Sequence, residues 1–184
     1  MEINTSEAER LSALYSYGVL DTGFEERFDR IVRLASLILG TPIALISLVD
    51  KDRQWFKASV GLDVRETARD ISFCTHAIKG TEVFVVPDAT QDKRFANNPL
   101  VAGKPDIRFY AGAPLIGSKG HAVGTLCVID HEPHQEFNDK AQQLLRDLAD
   151  TVVDLLELRR MLNRYNVLRR ELKPMAAQLT QLAE

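Results

Sequence analysis

Cysteine is nearly absent from this chain of 184 residues: only Cys74 and Cys127 occur. They form no CxxC pair, which excludes a zinc ribbon or a disulfide scaffold and fits a reducing compartment. Excess charge is also missing. The net charge of −3 leaves no basic footprint for nucleic acid or an anionic membrane. No apolar run approaches the roughly 20 residues that span a bilayer. Met1–Glu9 is acidic and polar, where a signal peptide would be basic and then apolar. There is no P-loop, no dinucleotide glycine fingerprint, no nucleophile-elbow motif, no internal repeat and no low-complexity tract. What is present is the composition of a globular domain, 45% apolar and 27% charged. The length suits one domain with an added helix better than two cores. These features lead us to expect a cytoplasmic protein with neither a nucleic-acid nor a membrane partner.

Ser6-Glu7-Ala8-Glu9 has capping-box spacing and predicts a short helix carrying Leu11 and Leu14, closed by Gly18. Thr22-Gly23-Phe24-Glu25 has the same spacing. Behind it Phe24, Phe28, Ile31, Ala35 and Ile38 recur at helical intervals up to Gly40. Thr41–Val49 is apolar on both faces, as in a central strand. Asp50-Lys51-Asp52 turns the chain back into Gln54–Val60, making a hairpin. Gly61–Arg69 reads as polar and irregular, Ile71–Ile78 as a short helix and Val83–Val86 as a short strand. Asp88–Asp106 reads as a long, partly helical excursion over one face of the sheet; segments of that length are commonly functional. Ile107–Leu115 and Ala122–Ile129 make a second hairpin. Asn138 caps a long helix with Leu144, Leu148, Leu155, Leu158 and Leu162 on a heptad-like stripe. Pro174 is expected to end or kink it. The reading is an α+β fold, largely antiparallel, with terminal helices on one face and the excursion on the other.

A succession of motifs resembles the GAF domain family. Ile43-Ala44-Leu45-Ile46-Ser47-Leu48-Val49-Asp50 with Gln54-Trp55-Phe56-Lys57-Ala58 looks like its first hairpin. Ser72-Phe73-Cys74-Thr75-His76-Ala77-Ile78, Val86-Pro87-Asp88-Ala89-Thr90, Asp92-Lys93-Arg94-Phe95 and Asn98-Pro99 follow in order. Arg108-Phe109-Tyr110-Ala111-Gly112-Ala113-Pro114-Leu115 and Gly124-Thr125-Leu126-Cys127-Val128-Ile129-Asp130 complete it. The resemblance implies a six-stranded antiparallel sheet with helices on both faces and a long C-terminal helix. It divides the chain into a GAF domain over 1–158, with its core at about 22–156, and a helical extension over 159–184. It implies a small-molecule pocket between sheet and excursion. It also implies a kinase, cyclase or phosphodiesterase effector.

The candidate pocket residues flank the excursion: Phe73, His76, Asp88, Arg94, Phe95, Phe109 and Tyr110, aromatics with a few polar groups. Phe109 and Tyr110 are neighbours on a strand, so at most one of them can line a cavity. Asp88 and Arg94 have a competing use as an ion pair that pins the loop. Cys74 and His76 project about 200° apart on a helix and do not face one reactive centre. His121, His131 and His134 lack metal-ligand spacing, and neither metal nor cofactor is expected.

The expected function is that of a non-catalytic sensor: a small ligand shifts the excursion, and the terminal helix relays that shift to an effector as one half of a homodimer. One alternative is a structural dimerisation module with a filled pocket. Another is a redox enzyme resembling the free methionine sulfoxide reductases, whose cysteine set this chain lacks.

Overall fold

The computed structural model describes the backbone over residues 6–182 and side chains over residues 6–172. Residues 1–5 and 183–184, parts of the two expected segments, lie outside the described residues. So does the side chain of Lys173.

The Ser6 capping box forms and starts α1 (Glu7–Ser16): Ser6 Oγ accepts from Glu9 N at 3.2 Å, and the Glu9 carboxylate accepts from Ser6 N. The expected second box does not form. α2 spans Glu26–Leu39 with Glu25 at its N-cap and no side-chain cap. Thr22 Oγ1 and the Glu25 carboxylate are instead occupied by Lys57 Nζ, at 2.9 and 2.7 Å. The buried face of α2 is Phe28, Ile31, Val32 and Ala35. Phe24 and Ile38, expected on that face, are exposed, and Phe24 carries the Arg65 guanidinium 4.1 Å above its ring. Gly40 ends the helix at φ 66°, a left-handed turn that costs glycine little.

The strands are β1 (Ile43–Val49), β2 (Arg53–Val60), β3 (Glu66–Ala68), β4 (Phe84–Val86), β5 (Phe109–Ile116) and β6 (Ala122–Asp130). They form one antiparallel sheet in the order β3-β2-β1-β6-β5-β4. β3 lies within the stretch read as irregular. It is a polar edge strand of three residues, too short for a period to register. Two four-residue helices, α3 (Cys74–Ala77) and α4 (Pro99–Ala102), punctuate the segments over one face.

α5 runs from Asp139 to Leu182, with Asn138 Oδ1 accepting from Ala141 N. It continues through Pro174, so the helix does not end there. Its buried residues are Leu145, Ala149, Val152 and Leu156. The predicted leucine stripe runs beside that face, and Leu158 and Leu162 are exposed. Both stripes obey helical periodicity; contact with the flat sheet selects one of them. Contacts with the domain continue past Leu158: Arg159 Nε donates to Gly18 O, and Asn163 Nδ2 donates to Tyr17 O.

Two apolar layers result. α1, α2 and α5 pack on one face of the sheet around Phe28, Trp55, Phe109 and Leu126. α3, α4 and the loops pack on the other around Phe73, Phe95 and Tyr110. α1 is tied to the sheet by Arg10, whose guanidinium donates to Val49 O at 2.7 Å and to Glu7. Arg69 also donates to Glu7. Arg10 chiefly, with Arg69, holds the Glu7 carboxyl down at about 2 against an ordinary 4.5, although burial opposes it. A depressed carboxylate stabilises the fold above its unfolded pKa and loses that contribution as pH falls through the folded one. Wild type is therefore expected to lose its advantage over Glu7→Gln as pH drops from 4.5 to about 2. Urea unfolding across that window checks it; a constant difference would remove Glu7 from the account.

Candidate functional site

The site begins with an irregularity in β2. Ile46 pairs with Ala58 and Ser47 with Phe56, so Lys57 is the extra residue of a β-bulge. A regular strand would send Phe56 and Ala58 to one face and Lys57 to the other. Here Phe56 belongs to the loop-side layer while Ala58 belongs to the helix-side layer. Lys57 turns to the helix side as well, its Nζ 5.2 Å above the Phe28 ring. Phe56 and Lys57 part as in a regular strand, and the bulge turns Ala58 to the helix side beside Lys57.

On the loop face lies a cavity of about 420 Å³. Ile43, Leu45, Phe56, Tyr110 and Ile129 of the sheet form its floor, and Phe73 and Cys74 form a wall. Residues 61–64 and the segment Leu100–Ile107 form its rim. The charged lining residues are Asp63 and Lys104, both exposed at the rim. The polar groups deeper in are occupied. Gln54 Oε1 accepts from Ser72 Oγ at 2.7 Å and from Ser47 Oγ, and Gln54 Nε2 donates to Thr67 Oγ1. An apolar chamber with a polar mouth suits a small, largely hydrophobic ligand. The cavity is open where the alternative reading has side chains filling it: Phe73 and Phe95 stack on each other at 4.0 Å to one side of it.

Of the seven residues selected from the sequence, Phe73 and Tyr110 line this chamber. Phe95 lies behind Phe73. His76 meets Phe95 edge-on at 4.9 Å, and Arg94 caps the cluster with its guanidinium 4.8 Å over Phe84. Burial lowers His76 most, with Lys79 and Arg94 adding to it. Phe109 is on the opposite face, stacked on His134 at 4.1 Å. Asp88 does not pair with Arg94; it accepts from Thr90 N and Oγ1, while Arg94 pairs with Asp92. Missed by sequence reasoning were Ile43, Leu45, Gln54 and Phe56; alternation puts them on one face of β1 and β2, and only packing decides that this face meets the loop segments. The rim residues Leu62, Val64 and Lys104 carry no local signal at all. His121 and His131 form no metal cluster, and among the described residues no group of metal-ligating side chains occurs.

On the helix face, the Lys57 side chain is fully buried and Nζ donates to Thr22 Oγ1, Gly23 O and Glu25 Oε1, the last two at 2.7 Å. Burial lowers Lys57, and the Glu25 hydrogen bond opposes that. Burial raises Glu25, but Lys57, Arg159 and Arg27 together hold it below the carboxylate range. Arg159, at 2.6 Å from Glu25, belongs to α5. The step from Phe56 to Lys57 therefore connects the chamber to the long helix.

Comparison with known proteins bears on this arrangement. The sequence model of the GAF domain family matches residues 23–154. A cyclic di-GMP phosphodiesterase of Pseudomonas aeruginosa is 46% identical over 157 residues. That alignment covers 85% of this chain, and the chain spans 27% of the relative's length. Among solved structures, the GAF domain of an Acinetobacter phosphoenolpyruvate-protein phosphotransferase superposes with a TM-score of 0.61 at 18% identity, covering 84% of this chain and 95% of that one. A free methionine-R-sulfoxide reductase of Neisseria meningitidis superposes with a TM-score of 0.60 at 17% identity, covering 88% and 96%. At these identities the likeness establishes the fold. The expectation that the chain is not an enzyme is overturned by the Pseudomonas relative, which is named for a catalytic activity. No helix among the described residues is long and apolar enough to cross a membrane.

Proposed function

The chain belongs to the GAF domain family, and from that premise we propose that it is the ligand-sensing part of a signalling enzyme of cyclic di-GMP turnover. The observation that carries the reading is the open apolar chamber of about 420 Å³, wired through adjacent residues of β2 to α5. The 46% identity to a cyclic di-GMP phosphodiesterase supports the choice of signalling system. Cyclic di-GMP itself does not suit the chamber. A doubly anionic dinucleotide needs cations and open hydrogen-bond donors, and the lining offers apolar walls with Lys104 alone as a cation. The ligand is a smaller, mostly hydrophobic molecule, in contact with Phe73 and Tyr110.

Seating it displaces Phe56. Lys57 follows, and with it the hold of Glu25 on Arg159. α5 then passes the change onward as one strand of a parallel pair. Leu158, Tyr165 and Leu172 recur every seven residues with Met161 and Leu168 between them, and all five are exposed. That is the seam of a two-stranded coiled coil, and its occupant is a second copy of this chain.

Native mass spectrometry of the freshly purified chain tests both parts. The expected result is a dimer carrying a small molecule that leaves on denaturation. Truncation after Arg164, which keeps the Arg159 and Asn163 contacts, is expected to give a folded monomer that retains the small molecule. An empty monomer from the full chain would refute the reading.

A further inference from the structure

The chamber has a second chemical feature, at its wall. Cys74 opens α3, lines the cavity and is otherwise buried. Tyr110 Oη donates to its Sγ at 3.4 Å and Thr125 Oγ1 at 3.2 Å. Cys127 stands two residues beyond Thr125 on β6, hence on the same face. It is buried in the same apolar layer as Cys74 and Tyr110. The only two cysteines of the chain thus lie in one buried layer, one on a helix and one on a strand, beside an open cavity.

We propose that Cys74 and Cys127 form a hydroperoxide-reactive thiol pair, entered through the apolar cavity, whose oxidation joins α3 to β6 by a disulfide. The inference uses the chamber only as an entrance and does not depend on the sensing of a non-covalent ligand.

Donors converging on one sulfur stabilise its thiolate, the reactive form. The Cys127 thiol lowers Cys74 most, burial opposes it, and Ser47, Thr125 and Tyr110 bring it down to about 6. Cys127, near that thiolate and buried, is pushed up. One sulfur is therefore the nucleophile and the other holds its proton until needed. In the first step Cys74 Sγ attacks the distal oxygen of the hydroperoxide. The O–O bond breaks, the alkoxide leaves and takes a proton to become the alcohol, and Cys74 becomes a sulfenic acid. In the second, Cys127 Sγ loses its proton and attacks Cys74 Sγ. The S–O bond breaks, and hydroxide leaves with that proton as water. Overall two thiols and one hydroperoxide give one disulfide, one alcohol and one water. The hydroperoxide is reduced and both sulfurs are oxidised. Hydrogen peroxide and small organic hydroperoxides share this chemistry; the apolar walls favour the organic ones.

The test treats the reduced full chain with tert-butyl hydroperoxide or with hydrogen peroxide, followed by intact mass and non-reducing peptide mapping. The expected result is loss of two hydrogens and a Cys74–Cys127 cross-linked peptide, formed faster with the organic peroxide. Cys127→Ala is expected to stop at a Cys74 sulfenic acid that dimedone labels, and Cys74→Ala to leave Cys127 reduced. Two reduced thiols in wild type, under peroxide that oxidises free glutathione, would overturn the proposal. So would oxidation of Cys127 in Cys74→Ala. An equal or faster reaction with hydrogen peroxide would overturn the apolar entry route. The wild-type peptide map decides the matter even where a variant fails to fold.

Discussion

Replacing Glu25 with Ala is expected to cost the domain on the order of 3 kcal/mol. The reason lies with Lys57 more than with Glu25 itself. Lys57 is fully buried, and without Glu25 its ammonium keeps only the neutral acceptors Thr22 Oγ1 and Gly23 O. A buried charge stripped of its counter-ion loses its Coulombic compensation while still paying for desolvation. The reverse change is milder. Lys57→Met removes the buried cation, and Glu25 stays paired with Arg27 and Arg159 at 2.9 and 2.6 Å. A loss of about 1 kcal/mol is expected there, the order of one hydrogen bond. Urea unfolding followed by far-ultraviolet circular dichroism measures both. If Lys57→Met proves the more damaging, the cluster is not governed by the stranded ammonium. Glu25→Ala should also loosen α5, since Arg159 loses its anchor, and faster amide exchange around residue 159 would register that.

Gly124→Ala is the second change with a large expected effect. Gly124 sits on β6 opposite Leu48 of β1, in the middle of the sheet. A methyl group there would lie 2.1 Å from Ser47 O and 2.9 Å from Leu48 Cα. Both are backbone atoms, so no side chain can swing aside, and the two central strands must separate. Overpacking of this kind costs about 3 kcal/mol. Ser47 lies at the β1–β2 bulge, so the displacement also reaches the step that sorts Phe56 from Ala58. Gly80→Ala is the matched control: a methyl group at Gly80 meets nothing within 4 Å. Thermal unfolding should separate the two variants clearly. Equal midpoints would show that β1 and β6 can spread at little cost.

The bulge explains why the site was harder to read than the fold. Alternation along Gln54–Val60 places Phe56 and Ala58 on one face, and only pairing with Ser47 and Ile46 shows that a residue is inserted between them. That register belongs to β1, not to the local sequence. The same holds for Phe109 and Tyr110: period two requires that they part, and only the packing of α3 says which one meets the chamber. Capping shows the same limit. Ser6-Glu7-Ala8-Glu9 caps α1, and among the described residues no distant group takes its Ser6 or Glu9 side chain. Thr22 and Glu25 carry the same pattern and lose it to Lys57, which arrives from β2.

The sequence by itself determined the two hairpins, α1, α2 and α5, the glycine stop at Gly40 and the antiparallel sheet. Those follow from hydrophobic period and from turn and cap chemistry, which act within a few residues. Tertiary structure alone decided which leucine stripe of α5 is buried, that the chamber stays open, that Lys57 reaches Glu25 and that Cys74 meets Tyr110 and Thr125. Each of these is a contact between segments distant in the chain. Their energies depend on register, twist and desolvation at the meeting point, and no local pattern carries that information.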